Sequence, residues 1–272
     1  MLGIGAVVGA VFGVVAAWLA NVLPRRYGIR HFPPAEKRRR RNALLVIAST
    51  LVGAGVGQVV AGVQGDALWH VGLLLVVNIG VAAVLLAGFA IDVEHMILPN
   101  EITIGSALVC LLSSPARGVG WKMSLLGAGL GFVFTYAPFL LYKAVKKQSG
   151  MGVGDAKLAV AAGAWHGIEG MLFVLFAGAL QHVLLGVFMR VSGVRYTIPE
   201  SVRAEIAELR ERAAAGDKEA IDELADDPLA SEEQEGLGKM RLPLGPALVL
   251  ASIEVLFLRR WLLDVLVPWL FG

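Results

Sequence analysis

The chain has 272 residues, 57% of them hydrophobic and 17% charged, with a mean hydropathy of +0.70 and a formal net charge of +2. Soluble domains are roughly half apolar and a quarter charged, and here the apolar residues come in long blocks, so the composition excludes an ordinary soluble domain in favour of a polytopic membrane protein. The single cysteine, Cys110, excludes an intramolecular disulfide and a cysteine zinc cluster.

In chain order, residues 1–23 lack a basic n-region and are apolar for long enough to span a bilayer, so they predict a first transmembrane helix rather than a cleaved signal. Gly5, Gly9 and Gly13 fall four apart, a ladder of small residues that lets another helix approach closely. A nucleotide loop would need a strand, turn and helix around those glycines, and that context is missing. Apolar blocks predict eight spans: 3–22, 43–63, 68–91, 102–115, 121–142, 157–167, 170–189 and 243–258, the fourth and sixth being short. The expected fold is therefore all-α, a polytopic helical bundle. Residues 1–189 form its membrane core, 190–242 a cytosolic helical insertion, and 243–272 the last span and tail.

Lysine and arginine set the expected orientation. The loop 24–42 carries eight positive charges: Arg25, Arg26, Arg30, Lys37 and the run Arg38–Arg41. Lys143, Lys146 and Lys147 lie two loops further on the same side, whereas the opposite loops hold Arg117, Lys122, and Arg259 and Arg260 near the end. The positive-inside rule puts the basic set in the cytoplasm. Beside a membrane span the arginine run is expected to anchor lipid headgroups rather than nucleic acid. Residues 190–242 hold 13 of the 22 acidic residues and eight basic ones. Val202, Ile206, Leu209 and Ala213 make one helical stripe there, Glu208 and Arg212 an expected i,i+4 pair, and Asp217 a cap for a second short helix after Gly216. A hairpin capping the membrane domain and a partner-docking module both fit that pattern.

Nine acidic residues remain outside the insertion. Glu36 falls in the basic loop, Asp66 and Glu169 in short outer turns, Asp264 beyond the last span and Glu254 within it. The others gather at two edges on the basic side: Asp92, Glu94 and Glu101 after the third span, and Asp155 before the sixth. Carboxylates at membrane depth are costly and mark functional sites by default. Asp92 sits in "AIDVEHMILPNEI", where Pro99 stops any continuous helix into the next span. Asp155 sits in "GMGVGDAKL", whose glycines permit unusual backbone angles and close approach. Two carboxylates on separate helices suit an aspartyl protease, in which an ionised group activates water and a protonated one polarises the scissile carbonyl, the pair titrating as one unit. Either aspartate alone could instead cap a helix or pair with Lys157. A proton- or cation-coupled transporter would use the same carboxylates as a relay, but the two motifs do not resemble each other and no internal repeat is visible. A structural subunit with a dead site would lack one aspartate, and both are present.

"GMGVGDAKL" with "AVAAGAWHG" (159–167) resembles the GxGD signature of type IV prepilin peptidases, polytopic membrane aspartyl proteases. "IDVEHMILPN" (91–100) is similar to the family's Ile-Asp and Leu-Pro-Asp motif, "LPLGPALVLAS" (242–252) to the Gly-Pro stretch opening its last helix, and "GVVAAWLANVLPRR" (13–26) loosely to its N-terminal helix. The resemblance implies that Asp92 and Asp155 are the catalytic pair and that Asn100 replaces a rival aspartate. It also implies that Gly152, Gly154, Lys157 and Pro99 shape the site, with His95 a loop residue. It further implies a bacterial inner-membrane enzyme with its site at the cytoplasmic face, cutting the basic leader from prepilins or pseudopilins that enter laterally from the lipid. A homodimer is possible, and no nucleic acid is expected. Many members carry a cytosolic loop with two CxxC pairs that binds zinc and accompanies N-methylation. Here "RRYGIRHFPPAEKRRRRN" stands in its place, so no zinc is expected, and S-adenosylmethionine would be a cofactor only if methylation were retained.

Overall fold

The computed structural model describes residues 1–62, 67–146, 153–194, 198–226 and 243–261. All regular structure among them is helical: α1 (Leu2–Arg26), α2 (Ala35–Ala61), α3 (Leu68–His95), α4 (Asn100–Ser113), α5 (Trp121–Lys146), α6 (Val153–Val191), α7 (Glu200–Ala214), α8 (Lys218–Asp226) and α9 (Gly245–Trp261). Five of these are long and apolar enough to cross a membrane, α1, α2, α3, α5 and α6, while α4 and α9 supply shorter apolar helices. The protein is a polytopic helical membrane protein, as its composition predicts.

Helix α6 is one element only in name. Gly167 breaks it with φ 74° and ψ −172°, backbone angles that are essentially glycine's alone. Its neighbours show that the chain folds back there. A Cβ at Gly131 of α5 would lie 2.4 Å from the Ala159 carbonyl oxygen and 3.2 Å from Met171 Cε. Ala159 and Met171 would stand about 18 Å apart along a straight helix. The two halves, 153–166 and 168–191, therefore pack side by side as an antiparallel hairpin. They correspond to the predicted spans 157–167 and 170–189, and each of the eight predicted apolar blocks is helical over most of its described residues. Arg117 caps the reversal: its guanidinium donates to the carbonyls of Trp165 and Ala164 and to that of Cys110 at the end of α4, while Ser124 also donates to Ala164. These are the carbonyls that a helix C-terminus leaves without an internal partner.

Close packing follows the small residues. Gly5, Gly9 and Gly13 of α1 are buried, and a Cβ at Gly53 of α2 would lie 2.3 Å from the Gly5 carbonyl oxygen and 2.8 Å from Gly9 Cα. Without a hydrophobic force between lipid-solvated helices, such backbone contact is what holds them together. Gly53→Ala is expected to cost about 1–3 kcal/mol, because backbone cannot yield as a side chain can. Gly105→Ala, with nothing within 4 Å of its Cβ, should leave the melting temperature of the detergent-solubilised protein unchanged. Helix α3 is the buried centre, with 72% of its apolar window inside the bundle against 28% for α1 and α5. Ala82 to Ile91 of α3, Leu158 to Trp165 of α6 and Leu248 to Val255 of α9 contribute most of the core.

The insertion forms α7 and α8 as expected. Val202, Ile206 and Leu209 are buried, and Asp217 caps α8 by accepting from the backbone N–H groups of Glu219 and Ala220. The expected Glu208–Arg212 pair does not form. Arg212 turns forward instead and donates twice to Asp217, a contact that holds that carboxyl below the usual carboxylate range. The boundary proposed at 189–190 falls within the last turn of α6, which runs to Val191, and the one at 242–243 borders residues outside the described ones, where Asp66 and Asp264 also lie.

Candidate active site

Both aspartates lie at the end of the bundle that carries the basic loops. Asp92 is in the last turn of α3, one residue beyond where the apolar block suggested that helix would stop, and is 5% exposed. Pro99 forms the N-cap of α4, with its carbonyl accepting from the N–H groups of Ile102 and Thr103. Together they produce a sharp α3–α4 turn just below Asp92. Asp155 lies in the first turn of α6 and is half-buried, at a helix N-terminus that favours negative charge.

The third partner is the start of α9. The Gly245 backbone N–H donates to the Asp155 carboxylate, and a Cβ on Gly245 would lie only 2.4 Å from Asp92 Oδ2. Gly245 thus touches both carboxylates at once, and they lie within electrostatic reach of each other. Asp92 Oδ2 is buried and has no hydrogen-bond partner among the described residues. Such orphaned polar atoms are rare in folded proteins and call for a chemical explanation.

Gly154 lets α6 close on the α3–α4 turn, since a Cβ there would meet Leu98 Cβ at 3.0 Å. Gly152 lies outside the described residues. Lys157 does not pair with Asp155. Its Nζ donates to Asn100 Oδ1 at 2.9 Å, tying the start of α6 to the start of α4 through the position where the family pattern has an aspartate.

Several contributors were not singled out from sequence. Leu98 touches Gly88, Gly154 and Gly245 and so forms a peg between α3, α6 and α9. Tyr27 Oη accepts the Asn100 backbone N–H at 2.8 Å and donates to Glu101 at 2.9 Å, pinning the α1–α2 loop onto α4. Arg41 leaves the arginine run altogether. Its side chain is 9% exposed and donates to Glu94, Asn21 and Asn42, whereas Arg39 and Arg40 stay exposed. The run therefore anchors α2 to α3 as well as facing outward. His95 is a further departure from expectation: it belongs to the last turn of α3 rather than a loop, and is 1% exposed. Glu254 is half-buried and accepts from Gln181. Beside the site, a cavity of about 240 Å³ lies between Tyr27–His31 and the insertion residues Ser201, Glu205 and Glu223.

No group of three histidine, cysteine or acidic side chains converges on a possible metal position among the described residues. The loop between α1 and α2 has no cysteine, and Cys110 is buried in α4, so the donors do not fit a thiolate zinc site.

Residues 79–187 match the family model described as "Type IV leader peptidase family". The chain is 35% identical over 108 residues to a prepilin leader peptidase/N-methyltransferase of Xanthomonas campestris pv. campestris, covering 38% of this chain and 36% of that protein. It is 30% identical over 122 residues to a protein of the same name from Pseudomonas aeruginosa, covering 44% and 41%. With one from Neisseria gonorrhoeae it shares 31% over 107 residues, covering 39% and 37%. The chain thus spans about two fifths of the length of the curated relatives it matches. No solved structure matches. The stretch that resembles this family, residues 79–187, holds Asp92, Asp155 and the helices that present them.

Proposed function

We propose that this protein is an aspartic endopeptidase that removes the N-terminal leader of type IV prepilins or pseudopilins. The observation that carries this reading is the convergence of Asp92 and Asp155 on Gly245, with Asp92 Oδ2 buried and unpartnered, inside the stretch that matches the family. The pair shares one proton. The ionised carboxylate takes a proton from water, whose oxygen attacks the scissile carbonyl carbon, and the protonated one donates to the carbonyl oxygen. When the tetrahedral intermediate collapses, one of its hydroxyls returns its proton to the dyad, the C–N bond breaks and the other carboxyl protonates the leaving amine, so that the pair again shares one proton. Gly245 N–H orients Asp155 for this cycle, and the flanking apolar core keeps bulk water away from the intermediate.

The excess of lysine and arginine in the loops beside the site supports a position at the cytoplasmic face of a bacterial inner membrane, where a basic leader would lie while its apolar segment stays in lipid. We further propose that the enzyme works without zinc, since the thiolates that would bind it are missing. The relay alternative is less well supported, because no repeated half is visible in the sequence and the match is to peptidases.

Incubating the purified protein with a prepilin-like substrate, with and without S-adenosylmethionine, tests the assignment by product mass. The expected result is a loss equal to the leader, with no additional methyl mass. An intact substrate mass would overturn the peptidase assignment, and a methyl increment would show that methylation persists without a cysteine cluster.

A further inference from the structure

Helix α3 ends under strain. Met96 is the one non-glycine residue with positive φ among the described residues, at φ 53° and ψ 32°, and its N–H closes on the Asp92 carbonyl. A left-handed residue with a side chain costs about 1–2 kcal/mol and persists only where its surroundings over-determine it. The last carbonyls of the helix also need partners from elsewhere. One of those comes from the cytosolic insertion: Ser201 Oγ of α7 donates to the Glu94 carbonyl at 3.0 Å and also lies 3.0 Å from His95 Nδ1. A hydroxyl has one hydrogen, and the Glu94 carbonyl can only accept it, so His95 Nδ1 must be the donor to Ser201. Both side chains are buried, Ser201 at 6% and His95 at 1% exposure. Phe32 packs edge-on against the His95 ring, and Arg41 holds the Glu94 carboxylate from α2. The turn that carries Asp92 is thus gripped from three elements, and the grip from α7 is the only one of them that belongs to the insertion.

We propose that α7 is a positioning element of the peptidase. Ser201 and His95 lock the last turn of α3 and so hold Asp92 against Gly245 and Asp155, which assigns this part of the insertion to the chemical step rather than to substrate recruitment. The proposal rests on the peptidase reading above. Ser201 and His95 do not touch the scissile bond in this scheme; they act through the helix end.

The test uses the full chain in detergent with a prepilin substrate, comparing wild type, Ser201→Ala and Ser201→Thr. Removing the bond should lower kcat about tenfold, the worth of one hydrogen bond, with KM unchanged, and threonine should restore it by supplying the same hydroxyl. Hydrogen exchange on the same preparations should quicken over residues 93–98 in Ser201→Ala alone and stay at the wild-type rate over residues 79–87. An unchanged kcat, a rise confined to KM, or faster exchange throughout α3 would each overturn the proposal. If the wild type cleaves no prepilin, the peptidase reading fails, and the exchange comparison still decides whether Ser201 locks the α3 terminus.

Discussion

Asp92→Asn and Asp155→Asn are each expected to reduce leader cleavage by about 10³-fold or more, while the protein remains membrane-inserted with near wild-type stability. Each amide keeps the size of the carboxyl but can neither take up nor give back the proton that the cycle moves. The two losses should not multiply in the double variant, because the residues act as one unit. Asp92 Oδ2 has no partner to lose among the described residues, so its amide variant has little structural reason to melt early. Asp155→Asn still offers an oxygen to the Gly245 N–H. A fixed-time assay reading mature pilin by mass, alongside thermal melting, checks both halves. Retained cleavage in either single variant would remove the dyad from the mechanism. The neighbouring Asn100 offers no substitute acid, being bonded to Lys157 as an amide.

Gly245→Ala should be nearly as damaging although it changes no ionisable group. The added methyl would lie 2.4 Å from Asp92 Oδ2 and 3.2 Å from Leu98 Cδ1. Either the carboxylate rotates away or the start of α9 retreats, and retreat withdraws the N–H that Asp155 accepts. A displacement of about 1 Å at a reacting group costs on the order of 10² in rate. The loss is expected in kcat with KM held, since the methyl disturbs the dyad rather than a surface that binds the leader. Gly129→Ala is the matched control, because nothing lies within 4 Å of its Cβ. A Gly245→Ala enzyme with wild-type kcat would show that α9 does not form part of the dyad's support.

Much of this architecture was legible from the residues. Apolar blocks mark each of the five membrane-length helices among the described residues because the hydrocarbon core demands length and apolarity from each segment on its own. The spans predicted at 157–167 and 170–189, with Glu169 in a short turn between them, imply the reversal within α6, and the backbone turns at Gly167. The glycine ladder of α1 predicted a close helix contact, and Gly53 of α2 supplies it. The aspartates could be picked out because ionisable groups beside apolar spans are scarce and costly.

The residues alone thus specify a multi-span helical bundle, its charge asymmetry, and the two aspartates with the motifs around them. Their neighbours emerge from the assembled fold: Gly245 at both carboxylates, Leu98 between three glycines, Tyr27 on α4, Arg41 on Glu94 and Ser201 on His95. These contacts join residues tens to more than a hundred positions apart. Periodicity reports which face of a helix is apolar, yet in lipid all outer faces are apolar, so it does not specify which helix packs on which. That choice is made by backbone approach at small residues and by polar groups satisfied at helix ends, and both become visible only when the helices are assembled.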